Sequence, residues 1–152
     1  KAEIQPPIPD TVATRPSDDS STSKSSGHGV SISPNADFDS MGARISANTS
    51  GVARAYLYDL SDNSLINDVD ISGLSGGDVF SIDANYVSGA TYSIVLDAEG
   101  SSFTAGYAGG EAGNGPWTSG DVDIENGVRS DTSDDTAPFC VNDVGNPDNI
   151  LG

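Results

Sequence analysis

The chain reads as all-β: an antiparallel β-sandwich, jelly-roll-like, with an extended N-terminal arm. Three observations predict this. Apolar and polar residues alternate in short runs from Val30 onward. The runs recur every ~8–13 residues between Gly, Asn, Asp, Ser and Pro turn residues, the grammar of a sandwich or jelly roll. No segment sustains a helical period of about 3.6 residues over three turns. At 152 residues the chain suits one domain. A chain of this size buries about 68–70% of its unfolded surface, so it needs neither disulfide nor metal to fold.

Residues 1–29 are set apart as the arm. Pro6, Pro7, Pro9 and Pro16 come early, and SDDSSTSKSSGHG (17–29) has no apolar residue. Such a stretch cannot offset its ordering entropy by its own burial. It is expected to lie along a neighbouring subunit, with Ile4, Ile8 and Val12 inserting there as the assembly contacts; the alternative is an arm folded back on its own sandwich. The sandwich is expected over 30–144 and a C-terminal tail over 145–152.

The strands follow in order. VSIS (30–33) ends at Pro34-Asn35. SMGARISA (40–47) puts Met41, Ala43, Ile45 and Ala47 on one side. After the turn Asn48-Thr49-Ser50-Gly51, VARAYLYDL (52–60) puts Ala53, Ala55 and Leu57 on one face and Tyr56 and Tyr58 on the other. LINDVDI (65–71) puts Leu65, Val69 and Ile71 opposite Asp68 and Asp70. VFSIDA (79–84) aligns Phe80, Ile82 and Ala84, TYSIVLDA (91–98) aligns Tyr92, Ile94 and Leu96, and FTAGY (103–107) aligns Phe103, Ala105 and Tyr107. A Gly-rich loop then leads to Trp117. Val122 and Ile124 mark one more strand, and Phe139-Cys140-Val141 a last short one.

Composition excludes several functions. Asp and Glu total 23 against six Lys and Arg, a formal net charge of −17. Nineteen of the acids are Asp, and only two bases are Lys. Six scattered bases cannot build the basic face that nucleic acid requires. An anionic membrane surface would repel the chain, and no apolar run approaches the roughly 18–20 residues of a membrane span. The chain opens on Lys1 with no signal-peptide pattern, as a processed or trimmed product would. Self-repulsion at this charge destabilises a compact state at low ionic strength, and molar salt screens it to a Debye length of about 3 Å. An Asp-rich, Lys-poor surface is therefore read as adaptation to high salt.

Candidate chemistry is sparse. Cys140 is the only cysteine, so no intrachain disulfide and no cysteine zinc site can form. His28, the only histidine, sits between two glycines in the arm. It is expected to be solvated or interfacial rather than part of a triad, which needs a packed imidazole and a buried carboxylate. Clustered acids are oxygen ligands for a structural Ca²⁺. The tightest sets are Asp121 with Asp123 and Glu125, Asp131 with Asp134 and Asp135, and Asp59 with Asp62 and Asn63. A solvated acidic face is the competing and stronger reading of each. The Gly-rich stretch 109–116 has no Lys-Ser/Thr after it, so it is no phosphate loop. Trp117, if exposed, would stack on a sugar ring together with Tyr56 and Tyr58. If buried, it would cap one end of the sandwich. Asn48-Thr49-Ser50 is an N-glycosylation sequon. No cofactor other than the candidate Ca²⁺ is expected, and no enzymatic activity.

Several segments resemble known proteins. Ile8-Pro9-Asp10-Thr11-Val12 and Arg15-Pro16-Ser17-Asp18-Asp19 are similar to the opening of virion proteins of haloarchaeal tailed viruses. Gly42-Ala43-Arg44-Ile45-Ser46-Ala47-Asn48-Thr49-Ser50-Gly51, Ala55-Tyr56-Leu57-Tyr58-Asp59, Asp70-Ile71-Ser72-Gly73-Leu74-Ser75-Gly76-Gly77-Asp78 and Tyr92-Ser93-Ile94-Val95-Leu96-Asp97 resemble lectin-like β-sandwich modules of such proteins. The resemblance spans about residues 8–107. It implies a structural part of a virus particle, in a tail fibre or baseplate, or in a capsid turret or decoration. The implied partners are other virion proteins, copies of the chain itself and a host-surface glycan, in an extracellular, high-salt setting. The rival expectation is a secreted or cell-surface carbohydrate-binding module, Ca²⁺-dependent if the acids bind metal.

Overall fold

The alternation in the sequence becomes two layers of strands that share a core. The computed structural model describes residues 11–13, 20–24, 27–62, 64–107, 117–130 and 140–143. Among these there is no helix. The strands are β1 (Thr11–Ala13), β2 (Ser20–Lys24), β3 (His28–Pro34), β4 (Phe38–Arg44), β5 (Arg54–Asp59) and β6 (Ser64–Asp70). They continue with β7 (Val79–Tyr86), β8 (Tyr92–Asp97), β9 (Phe103–Tyr107), β10 (Trp117–Ser119), β11 (Val122–Ser130) and β12 (Cys140–Asp143). One sheet runs β1-β4-β7, a second runs β10-β11-β3-β8-β5-β6 with β12 also on β11, and β2 pairs β9. Strand pairing is antiparallel except for β1, which runs parallel to β4.

From β2 to β9 the strand order is that of a jelly roll. The outermost strands of this series, β2 and β9, pair with each other. The next inward, β3 and β8, also pair, followed by β4 with β7 and β5 with β6. The chain therefore wraps as one long folded hairpin, with β3-β8-β5-β6 in one layer and the β2-β9 and β4-β7 pairs in the other. The two pairs are joined beyond the end of β4. Ser50 and Thr104 exchange backbone hydrogen bonds of 2.9 Å. Thr49 Oγ1 accepts from the Gly106 N–H at 2.8 Å. Thr49 and Ser46 are buried and share a 2.7 Å hydroxyl contact.

Inward-facing residues of both layers form one cluster. Val30 and Ile32 of β3, Met41 and Ala43 of β4, Leu57 of β5, Phe80 and Ile82 of β7, Ile94 and Leu96 of β8, Phe103 of β9 and Ile124 of β11 are all buried in it. Each large aliphatic or aromatic side chain so buried contributes about 1.5–3 kcal/mol. The expected strand phases of β4, β5, β7 and β8 hold, as does that of β9 at Phe103 and Ala105, while the Tyr107 side chain lies outside the described residues. Gly29 explains a residue choice in β3. It faces Val95 across the ladder, and a Cβ there would lie 1.6 Å from the Ile94 carbonyl oxygen. Only glycine fits where two backbones approach so closely.

Four expectations need correction. The arm does not stay outside the sandwich throughout. Val12 lies in β1, opposite Gly42 of this chain's own β4, and β2 pairs with β9. Backbone hydrogen bonding, which needs no apolar side chains, is what the compositional reading missed. Ile4 and Ile8, and the tail over 145–152, lie outside the described residues. His28 is not solvated. It opens β3 opposite Leu96 and is 7% exposed. Leu65 does not face the core. The β5–β6 ladder pairs Leu57 with Asn67 but Tyr58 with Leu65, so Ile66 is an extra residue that reverses the phase. Such a bulge moves every residue beyond it to the other face, and Leu65 is 45% exposed. Ala47 lies in the turn after β4 and is exposed.

Candidate functional site

The tyrosines expected at a glycan are not presented to one. Alternation along β5 places Arg54, Tyr56 and Tyr58 on the side of the sheet away from the main core. There the two rings pack with Val95 and Leu60, with centroids 6.3 Å apart. Tyr56 is 6% and Tyr58 2% exposed, so neither ring face is open. The Tyr56 hydroxyl donates to the Glu99 carboxylate. Burial, and then the bond and charge of Glu99, raise its pKa well above the ordinary tyrosine value. Arg54 completes the cluster, 2.7 Å from Asp68 and 3.8 Å from Glu99. This is a structural tie that fastens the loop after β8 to β5 and β6. Trp117 opens β10 opposite Ile124 rather than lying in a loop, and its side chain is outside the described residues.

The acids proposed for metal are largely engaged by neutral donors. Asp121 is exposed just before β11. Its backbone carbonyl accepts from the Asn35 N–H at 2.7 Å. Asp123 Oδ1 accepts from Asn35 Nδ2 at 3.1 Å and from Thr118 Oγ1 at 2.8 Å. Glu125 is in β11, with its side chain outside the described residues. Asp59 accepts from Ser61, and Asp62 from the Ser64 N–H, closing the turn before β6. The Ser64 hydrogen bonds lower the Asp62 pKa, and those of Ser72 lower that of Asp70. Among the described residues no three His, Cys, Asp or Glu side chains are grouped to hold a metal ion.

What the fold does build is a groove on the open side of the sandwich, where β6 and β7 end their sheets. Its first part, about 490 Å³, is lined by Asp39, Ser40, Ile66, Asn67, Asp83, Ala84 and Asn85. An adjoining part of about 540 Å³ shares Asp39 and Asn85 and adds Asp37, Phe38, Tyr86, Val87 and Asp121. Asn67 spans the gap between the layers and donates to the Asp83 carbonyl at 2.9 Å. Beneath lies an aromatic floor. Tyr86 is 4.9 Å from Phe38 and 5.3 Å from Tyr92, centroid to centroid. The Tyr92 hydroxyl accepts from the Val87 N–H at 3.1 Å, and the Tyr86 hydroxyl donates to the Ile82 carbonyl at 2.9 Å. Burial first, then Asp83, raises the Tyr86 pKa above the ordinary tyrosine value.

No family model matches the chain, no curated protein is similar to it, and no solved structure matches its fold.

The groove was not visible in the sequence. Its residues come from β4, β6 and β7 and from Asp37, Val87 and Asp121 just outside strands, and in so acidic a chain Asp39 and Asp83 are lost among nineteen Asp. One signal was there to be used. Ile66 is an apolar residue out of phase in LINDVDI, and it is the bulged residue that lines the groove.

Proposed function

We propose that this chain is a non-enzymatic structural module of a halophilic virus particle, set in a tail fibre or baseplate and exposed to the host surface. The observation that carries this is the jelly-roll strand order on a chain of net charge −17. That order is a recurrent architecture of viral capsid and lectin domains. The charge suits a surface whose repulsion is screened by molar salt. The acids support a scaffold. Asp59, Asp62, Asp70 and Asp78 each accept a backbone N–H from a serine two or three residues away. They close turns between strands.

Density-gradient sedimentation of particles from the source culture in molar salt tests the proposal. Peptides of the chain should travel with infectious particles. Recovery only with the cell envelope or the medium would overturn it. That outcome would favour the second reading, a secreted or cell-surface carbohydrate-binding module, for which the groove along β6 and β7 is the specific observation.

A further inference from the structure

We infer that the groove between β6 and β7 is a binding site for a neutral oligosaccharide. This rests on the reading of the chain as a module that meets a host surface, and it names the ligand class.

The first ground is construction. Among the described residues, two of the three register irregularities in the sheets fall at this groove. One makes Ile66 the extra residue of β6. The other sets Asp39 of β4 against Ala84 and Asn85 of β7. All four residues line the groove. Bulges re-aim side chains and recur beside functional sites. The groove is also held in shape from below, by the Asn67–Asp83 tie and the aromatic floor, so little ordering is required on binding.

The second ground is chemistry. Each part of the groove falls in the roughly 300–1,000 Å³ range of small-ligand sites. Asp39 and Asp83 carry acceptor-only carboxylates, while the Asn85 amide and the Ser40 hydroxyl both donate and accept. Ile66, 40% exposed, and Val87, 52% exposed, add apolar surface. A sugar ring matches this mixture, because its hydroxyls donate to carboxylates and its C–H face covers aliphatic side chains. Asp37, Asp39, Asp83 and Asp121 line the two parts and would repel uronic, sialic or sulfated sugars. A basic peptide would suit the charge, but in molar salt its attraction is screened. Hydrogen bonds and apolar contacts to a neutral ligand persist there.

The test uses the full chain in molar salt against neutral gluco- and manno-oligosaccharides and a glucuronate-containing counterpart, followed by calorimetry and ligand-observed NMR. Binding to a neutral oligosaccharide is expected, with the glucuronate form weaker. Asn85→Ala and Asp83→Ala should each weaken it about tenfold or more, the loss of one hydrogen bond to a charged or amide group. The control Asp70→Asn, outside the groove, should bind as wild type. Unchanged melting temperatures would show that the variants fold. Three results would overturn the inference: no binding to any neutral oligosaccharide, binding that the groove variants leave intact, or a preference for the acidic sugar. Capture of a basic peptide at low salt, lost in molar salt and without sugar binding, would overturn it in favour of a protein partner. The chain would still sediment with particles in each case, so the inference fails separately from the proposed function.

Discussion

Strands β8 and β6 belong to one sheet, with only β5 between them, yet they are opposites. All six residues of β8 are buried, Ser93 and Asp97 included, whereas no residue of β6 is. Local composition does not explain this, since TYSIVLDA and LINDVDI mix apolar and polar residues alike. Position does. β8 has a ladder on each side, with β3 and β5, whereas β6 ends the sheet. A central strand transmits any change to two neighbours. An edge strand can bulge, carry charge and line a groove without cost to the core.

The largest effect should come from closing the contact that lets β3 meet β8. Gly29→Ala places a methyl group inside the Ile94 carbonyl, and the backbone of both strands must shift. A loss of more than about 4 kcal/mol is expected, read as failure to fold or as a collapse of the circular-dichroism β signal. A soluble variant with wild-type melting would show that the strands do not approach as described. Leu96→Ala, at a fully buried position of β8, should cost about 2–5 kcal/mol in denaturant unfolding. A cost near zero would remove β8 from the centre of the core.

These two positions also show how much of the fold could be read from the sequence. Period-two alternation fixed the inward faces of β4, β5, β7, β8 and β9, because burial of one face leaves that imprint. It could not assign strands to sheets, since pairing is long-range and the ladder is made by backbone groups that all residues share. For the same reason β1 and β2 were hidden in a polar stretch. The bulge at Ile66 was hidden because one extra residue inverts a phase that looks regular in the sequence.

Salt should act on the β6 side and not on β8. Asp68 and Asp70 lie on β6, and the groove beside it holds Asp39 and Asp83. From about 0.1 M to molar NaCl the Debye length falls from about 10 to about 3 Å. The melting temperature should rise by at least about 4 °C, on the order of 1–2 kcal/mol for this size. A flat or falling melting temperature would refute the halophilic reading. Asp83→Asn should raise stability at low salt and lose that gain in molar salt.

The tie on the outer face of β5 is expected to contribute less. Tyr56→Phe removes the hydroxyl that donates to Glu99 and should cost about 1 kcal/mol, since Tyr56 is buried but its acceptor Glu99 is exposed to solvent. It should also change the alkaline limb. The folded-state pKa of Tyr56 is raised, so its contribution is intact below the ordinary tyrosine pKa of about 10. It is lost as pH rises above that, because the unfolded chain releases its proton first. Tyr86 has the same sign. Wild type should therefore lose stability above pH of about 10, and Tyr56→Phe should lose less. Identical alkaline profiles would mean that the hydroxyl is not held by Glu99.

The smallest effect tests the edge itself. Leu65 shares an apolar sequence phase with Val69 and Ile71, which would make it a core residue and its truncation worth about 2–5 kcal/mol. The bulge at Ile66 turns it outward instead, at 45% exposure. Leu65→Ala should then change stability by no more than about 0.5 kcal/mol in denaturant unfolding. A small result alone would be ambiguous, so the partner experiment deletes Ile66. Removing the extra residue makes the ladder regular and leaves Leu65 opposite Tyr58, on the outer face it already occupies. Leu65→Ala in that background should therefore stay as mild as in the wild type. If Leu65→Ala is costly in the wild type and becomes mild after the deletion, the strand is paired without a bulge, because only then does the deletion change the phase of Leu65. The groove would then lose the residue that shapes its β6 wall.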